Sequence, residues 1–151
     1  MGKAIFYHLT RSPVEGALAL LLPRALERGW RAAVRGREAE RLAWLDEKLW
    51  LTGGDDSFLP HGLAGGAHDA HQPVLLTEGS ALPNGASCLF LIDGAEAGAA
   101  EAAALERLCI LFDGADPAAV EGARGQWRAL TGAGLEAEYW SEASGRWARE
   151  R

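Results

Sequence analysis

Short apolar runs alternate along this chain with stretches of helical period, and that alternation restricts its fold more than any other feature. The runs are residues 4–9 (AIFYHL), 30–35 (WRAAVR), 73–77 (PVLLT), 87–92 (SCLFLI), 108–112 (LCILF) and 135–140 (LEAEYW). Each is too short for a core helix, and several are apolar throughout, as strands covered on both faces must be. Between them the period changes. Thr10 or Ser12 can cap a helix with Pro13 just inside it, and Leu18, Leu21, Leu22, Ala25 and Leu26 then fall on one face until Gly29 stops it. Pro23 inside this helix removes one ladder hydrogen bond and predicts a kink. Helices are also expected over about 38–50, over the Ala-rich 95–106, and from Pro117, capped by Asp116, to about Thr131. Strand–helix alternation predicts an α/β fold of three layers, with a mostly parallel central sheet flanked by helices on both faces. This resembles the Rossmann-like architecture. At 151 residues the chain is long enough to bury one core, so a single domain over 1–151 is expected.

A nucleotide site does not follow from such a fold. The first strand–helix connection, Thr10-Arg11-Ser12-Pro13, lacks the Gly-x-Gly-x-x-Gly turn that lets backbone approach a pyrophosphate, and no phosphate loop of the Walker type occurs. The formal charge of −6 disfavours a broad grip on nucleic acid, which requires clustered Lys and Arg. Cys88 and Cys109 sit in apolar runs and read as small hydrophobes. The opening residues turn polar too soon for a signal peptide, and no run approaches the ~20 apolar residues of a membrane span, so a cytoplasmic protein is expected. His61, His68 and His71 share a glycine-rich loop, but their spacing matches no closed zinc site, and no metal or other cofactor is expected. Asp46-Glu47, Asp55-Asp56, Ser57, Asp93 and Asp113 form no pair or triad of suggestive spacing, so no catalytic residue is assigned.

Two stretches carry more. From Leu45 to Leu63 a helix ending in Leu49-Trp50 breaks at Gly53-Gly54-Asp55-Asp56, after which Phe58, Leu59, Pro60 and Leu63 place apolar side chains in a segment without period. Such a loop either folds back onto the core or presents an apolar patch to a partner. In the helix from Pro117, Val120, Ala123, Trp127 and Leu130 make a core stripe. Arg124, Trp127 and Arg128 fall at i, i+3 and i+4, so two guanidinium groups flank an indole that can pack on one side and wall a pocket with the other.

These two stretches resemble the chi subunit of bacterial DNA polymerase III holoenzyme. Leu45-Asp46-Glu47, Leu49-Trp50, Ser57-Phe58-Leu59-Pro60-His61 and Leu63-Ala64 carry the resemblance, together with Phe6-Tyr7, Leu111-Phe112-Asp113-Gly114, Ala123-Arg124, Trp127 and Arg128. It runs from about residue 3 to the Trp147 region. The resemblance implies the same fold and a non-enzymatic adaptor of the clamp-loader complex, touching DNA only indirectly. It implies that Arg124, Trp127 and Arg128, with Trp50 near that surface, bind the acidic C-terminal tail of single-stranded-DNA-binding protein. It further implies that Phe58, Leu59, Pro60 and Leu63 face a psi-like partner. One departure is Val120, where many relatives carry a basic residue. The competing reading is an α/β nucleotide-binding protein or enzyme using the ends of its strands.

Overall fold

The middle of the sheet is made by the most apolar runs. Strands β5 (Cys88–Leu91) and β6 (Arg107–Asp113) lie side by side, and β6 pairs in turn with β1 (Lys3–Leu9), all parallel. The computed structural model describes residues 2–51, 59–142 and 147–151. Outward from this centre lie β2 (Ala32–Arg35), β4 (Val74–Thr77) and β3 (Gly62–Leu63) on one side, and β7 (Glu136–Ser141) and β8 (Ala148–Arg149) on the other. The order is β3-β4-β2-β5-β6-β1-β7-β8, parallel except where β8 returns antiparallel to β7. Helices α1 (Val14–Glu27) and α2 (Ala39–Leu51) pack on one face, and α3 (Ala99–Ala104) and α4 (Pro117–Gly132) on the other. This is the three-layer, Rossmann-like arrangement that the alternation of periods predicts.

The expected stripes do the packing. Leu18, Leu22 and Ala25 of α1 and Leu42, Leu45 and Leu49 of α2 are buried against one sheet face, while Ala123 and Leu130 of α4 are buried against the other. Asp116 caps α4 by accepting the Ala118 amide (3.0 Å), with Pro117 in its first turn. Both α1 and α4 end on a glycine at positive φ. Gly29 (φ 82°) and Gly134 (φ 94°) turn the chain so that paired amides return to the last carbonyls, Trp30 to Ala25 and Gly29 to Leu26 in the first case.

Several boundaries differ from expectation, each for a local reason. Helix α1 starts at Val14 with Pro13 as its N-cap, and neither Thr10 nor Ser12 caps it. The amides there are taken instead by Glu142, as described below. As expected, Pro23 lies within α1, which runs through it to Glu27. Strand β2 starts at Ala32, because Trp30 is held in the turn that closes α1. Helix α3 is shorter than 95–106: Asp93 (φ 53°) and Gly94 (φ 83°) make a tight turn closed by Ala95 N–H to Ile92 O, and at the far end Glu106 and Arg107 donate to Ser87 O, joining the sheet. The edge strands β3 and β8 are two residues each, too short to show a period. Trp147 meets Tyr7 edge-on at 5.5 Å and packs on the α1 face, and β8 then straps the β7 edge.

Candidate functional site

The period of two along the strands assembles the floor of a groove. Phe6 and His8 of β1 point to the α4 face; Phe112 of β6 lies in register with His8, and Tyr139 and Ser141 of β7 in register with Phe6 and His8. His8 stacks on Phe112 (centroids 5.1 Å, 22°), and its Nδ1 lies 2.7 Å from the Tyr139 hydroxyl. Burial pushes the Tyr139 phenol above its ordinary pKa, with Arg124 opposing, Glu150 adding and Arg151 opposing. Trp127 of α4 meets Phe6 edge-on at 5.2 Å and Tyr139 at 6.2 Å. The indole thus packs on the aromatic floor and walls the groove, the double role its place in the stripe allows.

This groove encloses ≈ 590 Å³ between α4 on one side and β7 with residues 150–151 on the other. Arg124 and Arg128 stand on its α4 rim, about two-thirds exposed, and share Glu121 at 3.8 and 3.5 Å. Pairs this exposed contribute little, so both guanidinium groups remain able to meet an incoming anion. The structure thus brings three of the sequence-derived residues, Arg124, Trp127 and Arg128, into one groove. It does not bring Trp50 there. Trp50 belongs to α2, on the opposite face and toward the β3 edge, and meets the His61 ring at 4.2 Å with the planes tilted by 33°. His8, Tyr139 and Arg151 went unassigned in the sequence. Only the alternation of residues 135–140 hinted at Tyr139, and nothing local marked the other two.

A second apolar surface lies at that edge. Trp50, Leu51 and Leu63 are exposed there, whereas Leu59 packs against the core and Pro60 is half-buried. The loop thus folds back at Leu59 and leaves Leu63 exposed. Phe58, with Gly53, Gly54, Asp55, Asp56 and Ser57, lies outside the described residues. His61 ties the loop to α2: Nδ1 is 2.7 Å from Leu59 O, and Nε2 is 3.1 Å from both Asp46 O and Asp46 Oδ1. His61 is buried while His68 and His71 are exposed, and among the described residues no cluster of His, Cys, Asp or Glu could hold a metal ion.

The ends of the strands hold a larger crevice, ≈ 880 Å³, near the start of α1 and α4, where doubly wound folds take their ligands. Its anion position is filled from within. Glu142 Oε1 accepts the amides of Thr10, Arg11 and Ser12 at 3.0, 2.7 and 2.6 Å, and Oε2 accepts the Ser12 hydroxyl at 2.7 Å. Burial alone would raise the Glu142 pKa, but these donors, Ser12 and Arg11 foremost, hold it below its ordinary value. Among the other carboxylates lining it, Asp93 pairs with Arg41 at 3.0 Å, Asp113 accepts the Ala115 amide, and Asp116 is the α4 cap.

Comparison with curated proteins found no match. The family described as DNA polymerase III chi subunit, HolC, matches residues 1–138, which span every layer of the fold and the whole of the α4 rim. No helix among the described residues is long and apolar enough to cross a membrane. The chain belongs to the DNA polymerase III chi subunit family.

Proposed function

We propose that the chain is a non-enzymatic adaptor of the clamp-loader complex, taking the acidic C-terminal tail of single-stranded-DNA-binding protein in the α4 groove and a psi-like partner on the β3 edge. Its family is that of an accessory subunit of DNA polymerase III, with no catalytic role indicated. The observation that carries the reading is the conjunction of Arg124 and Arg128 with the Trp127 wall over an aromatic floor. A tail ending in an apolar residue and a free carboxylate needs those two things: a guanidinium fork for both carboxylate oxygens and an apolar wall for the side chain. The charge-assisted bond contributes ~1.5–3 kcal/mol, and burial of one apolar side chain about as much. Ordering a flexible tail offsets part of this, so single-tail affinity is on the order of micromolar, strengthened where several tails cluster. The nucleotide-binding alternative is disfavoured by Glu142, whose carboxylate occupies the amides a phosphate would need.

The partner surface rests on exposed Trp50, Leu51 and Leu63 with half-buried Pro60, and the adjoining Phe58 is assigned to it from the sequence. Trp50, on the sheet face opposite the groove, is assigned to this surface and not to the tail. A pull-down with single-stranded-DNA-binding protein, intact and lacking its last residues, tests the first half. The intact protein is retained and the shortened one is not; equal retention of both would refute tail binding. Phe58→Ala is expected to lose the clamp-loader partner in co-purification at unchanged melting temperature. A large fall in melting temperature with the partner retained would make Phe58 a core residue instead.

A further inference from the structure

We infer that Arg151 is a third cation of the α4 groove, which reads acidic side chains of the bound peptide from the wall opposite Arg124 and Arg128. The inference rests on the tail-binding reading and extends it to a residue beyond the 1–138 match. Arg151 is held in place by backbone: its amide donates to Tyr139 O at 3.3 Å, the Tyr139 amide donates to Arg151 O at 3.3 Å, and the neighbouring Glu150 amide reaches Tyr139 O at 2.6 Å. From there its guanidinium lies 5.9 Å from the centre of the Trp127 ring, so the indole that walls the groove has a cation at its face.

Charge then decides the role. The carboxylates lining or bordering the groove are Glu121 and Glu150, and the cations are Arg124, Arg128 and Arg151. Counting side chains alone, Arg151 makes the groove positive by three against two, while its main-chain oxygen is turned to the Tyr139 amide and Arg149 Nε. Arg124 and Arg128 moreover share Glu121, whereas Arg151 pairs with no carboxylate among the described residues. Val120 leaves the α4 wall apolar at its level, and Arg151 adds a third cationic side chain from the strap. The occupant this fits is an extended peptide carrying acidic side chains ahead of its terminal carboxylate, with the terminus on the α4 side and an acidic side chain on Arg151.

Calorimetric titration with a peptide of aspartates ending in one apolar residue and a free carboxylate tests this. Arg151→Ala is expected to weaken binding roughly three- to fivefold at low salt, the range of an exposed charge pair, and to flatten the salt dependence. Arg151→Lys should keep part of the affinity. With a peptide whose aspartates are replaced by asparagine, the Arg151→Ala loss should vanish, because the two changes remove one interaction. Unchanged or tighter binding by Arg151→Ala, or an equal loss with the asparagine peptide, overturns the role of Arg151 while leaving the tail site standing. No binding by the unaltered protein, or full binding by Arg124→Ala, overturns the tail reading and this inference with it.

Discussion

Arg124 and Glu142 show how far a residue's surroundings decide its work. Arg124 is about two-thirds exposed and meets Glu121 only at 3.8 Å, so its loss costs the fold little. In the adaptor reading it is the principal contact for the tail carboxylate, and Arg124→Ala should weaken tail-peptide binding by about tenfold or more. Circular dichroism and melting should stay near those of the unaltered protein. Trp127→Ala is a poorer probe, since the indole also packs on Phe6 and Tyr139 and its removal would destabilise the protein by a few kcal/mol. Glu142 is the opposite case: buried, and accepting four hydrogen bonds. Glu142→Gln keeps the shape but removes the charge, and should cost ~1–3 kcal/mol in denaturant unfolding with the tail site still competent. A change within about 0.3 kcal/mol would show that the three amides do not depend on that carboxylate.

Among the elements, the strand–helix order and the faces of α1, α2 and α4 were legible in the sequence, because core stripes are written at the period of the element that carries them. The Arg124–Trp127–Arg128 patch was legible for the same reason. What escaped was built from pairs far apart in sequence. Glu142 is 130 residues from Ser12, and β8 is two residues whose place only β7 determines. His8 and Tyr139 meet across neighbouring strands. Arg35 escaped too. It lies at the end of a fully buried strand, where all five N–H groups are engaged: with Gly79, Ser80 and Glu96 carbonyls and, bidentately, with Glu101 at 2.8 and 2.7 Å. Arg35→Lys cannot reproduce the fork and should destabilise the protein by roughly 2 kcal/mol, measured by urea midpoint. The His61 tie between α2 and the loop predicts that His61→Ala lowers the melting temperature and weakens the psi-like partner while tail binding persists.

For the whole molecule, Glu101, Glu138 and Glu142 all have pKa values lowered in the fold. The Arg35 hydrogen bonds lead for Glu101 and the Lys3 bond for Glu138, while for Glu142 the amide donors outweigh burial. A carboxyl whose folded pKa is depressed stabilises the fold above its unfolded pKa and loses that contribution as pH falls through the folded value. Stability should therefore be level near neutrality and decline on acidification below the ordinary glutamate range. Glu142→Gln should reduce the steepness of that decline, as urea titrations across pH would show. The molecule also keeps its two proposed surfaces apart, with the α4 groove at the β7 side and the Trp50–Leu63 patch at the β3 edge of an eight-stranded sheet. An adaptor needs that separation to hold two proteins at once. The most direct measurement is amide and indole chemical-shift mapping as tail peptide is added to the isotopically labelled protein. The account predicts the largest changes at Arg124, Trp127, Arg128 and Tyr139, with Leu51 and Leu63 unmoved; changes centred on Trp50 and Leu63, or on Thr10–Ser12, would contradict it.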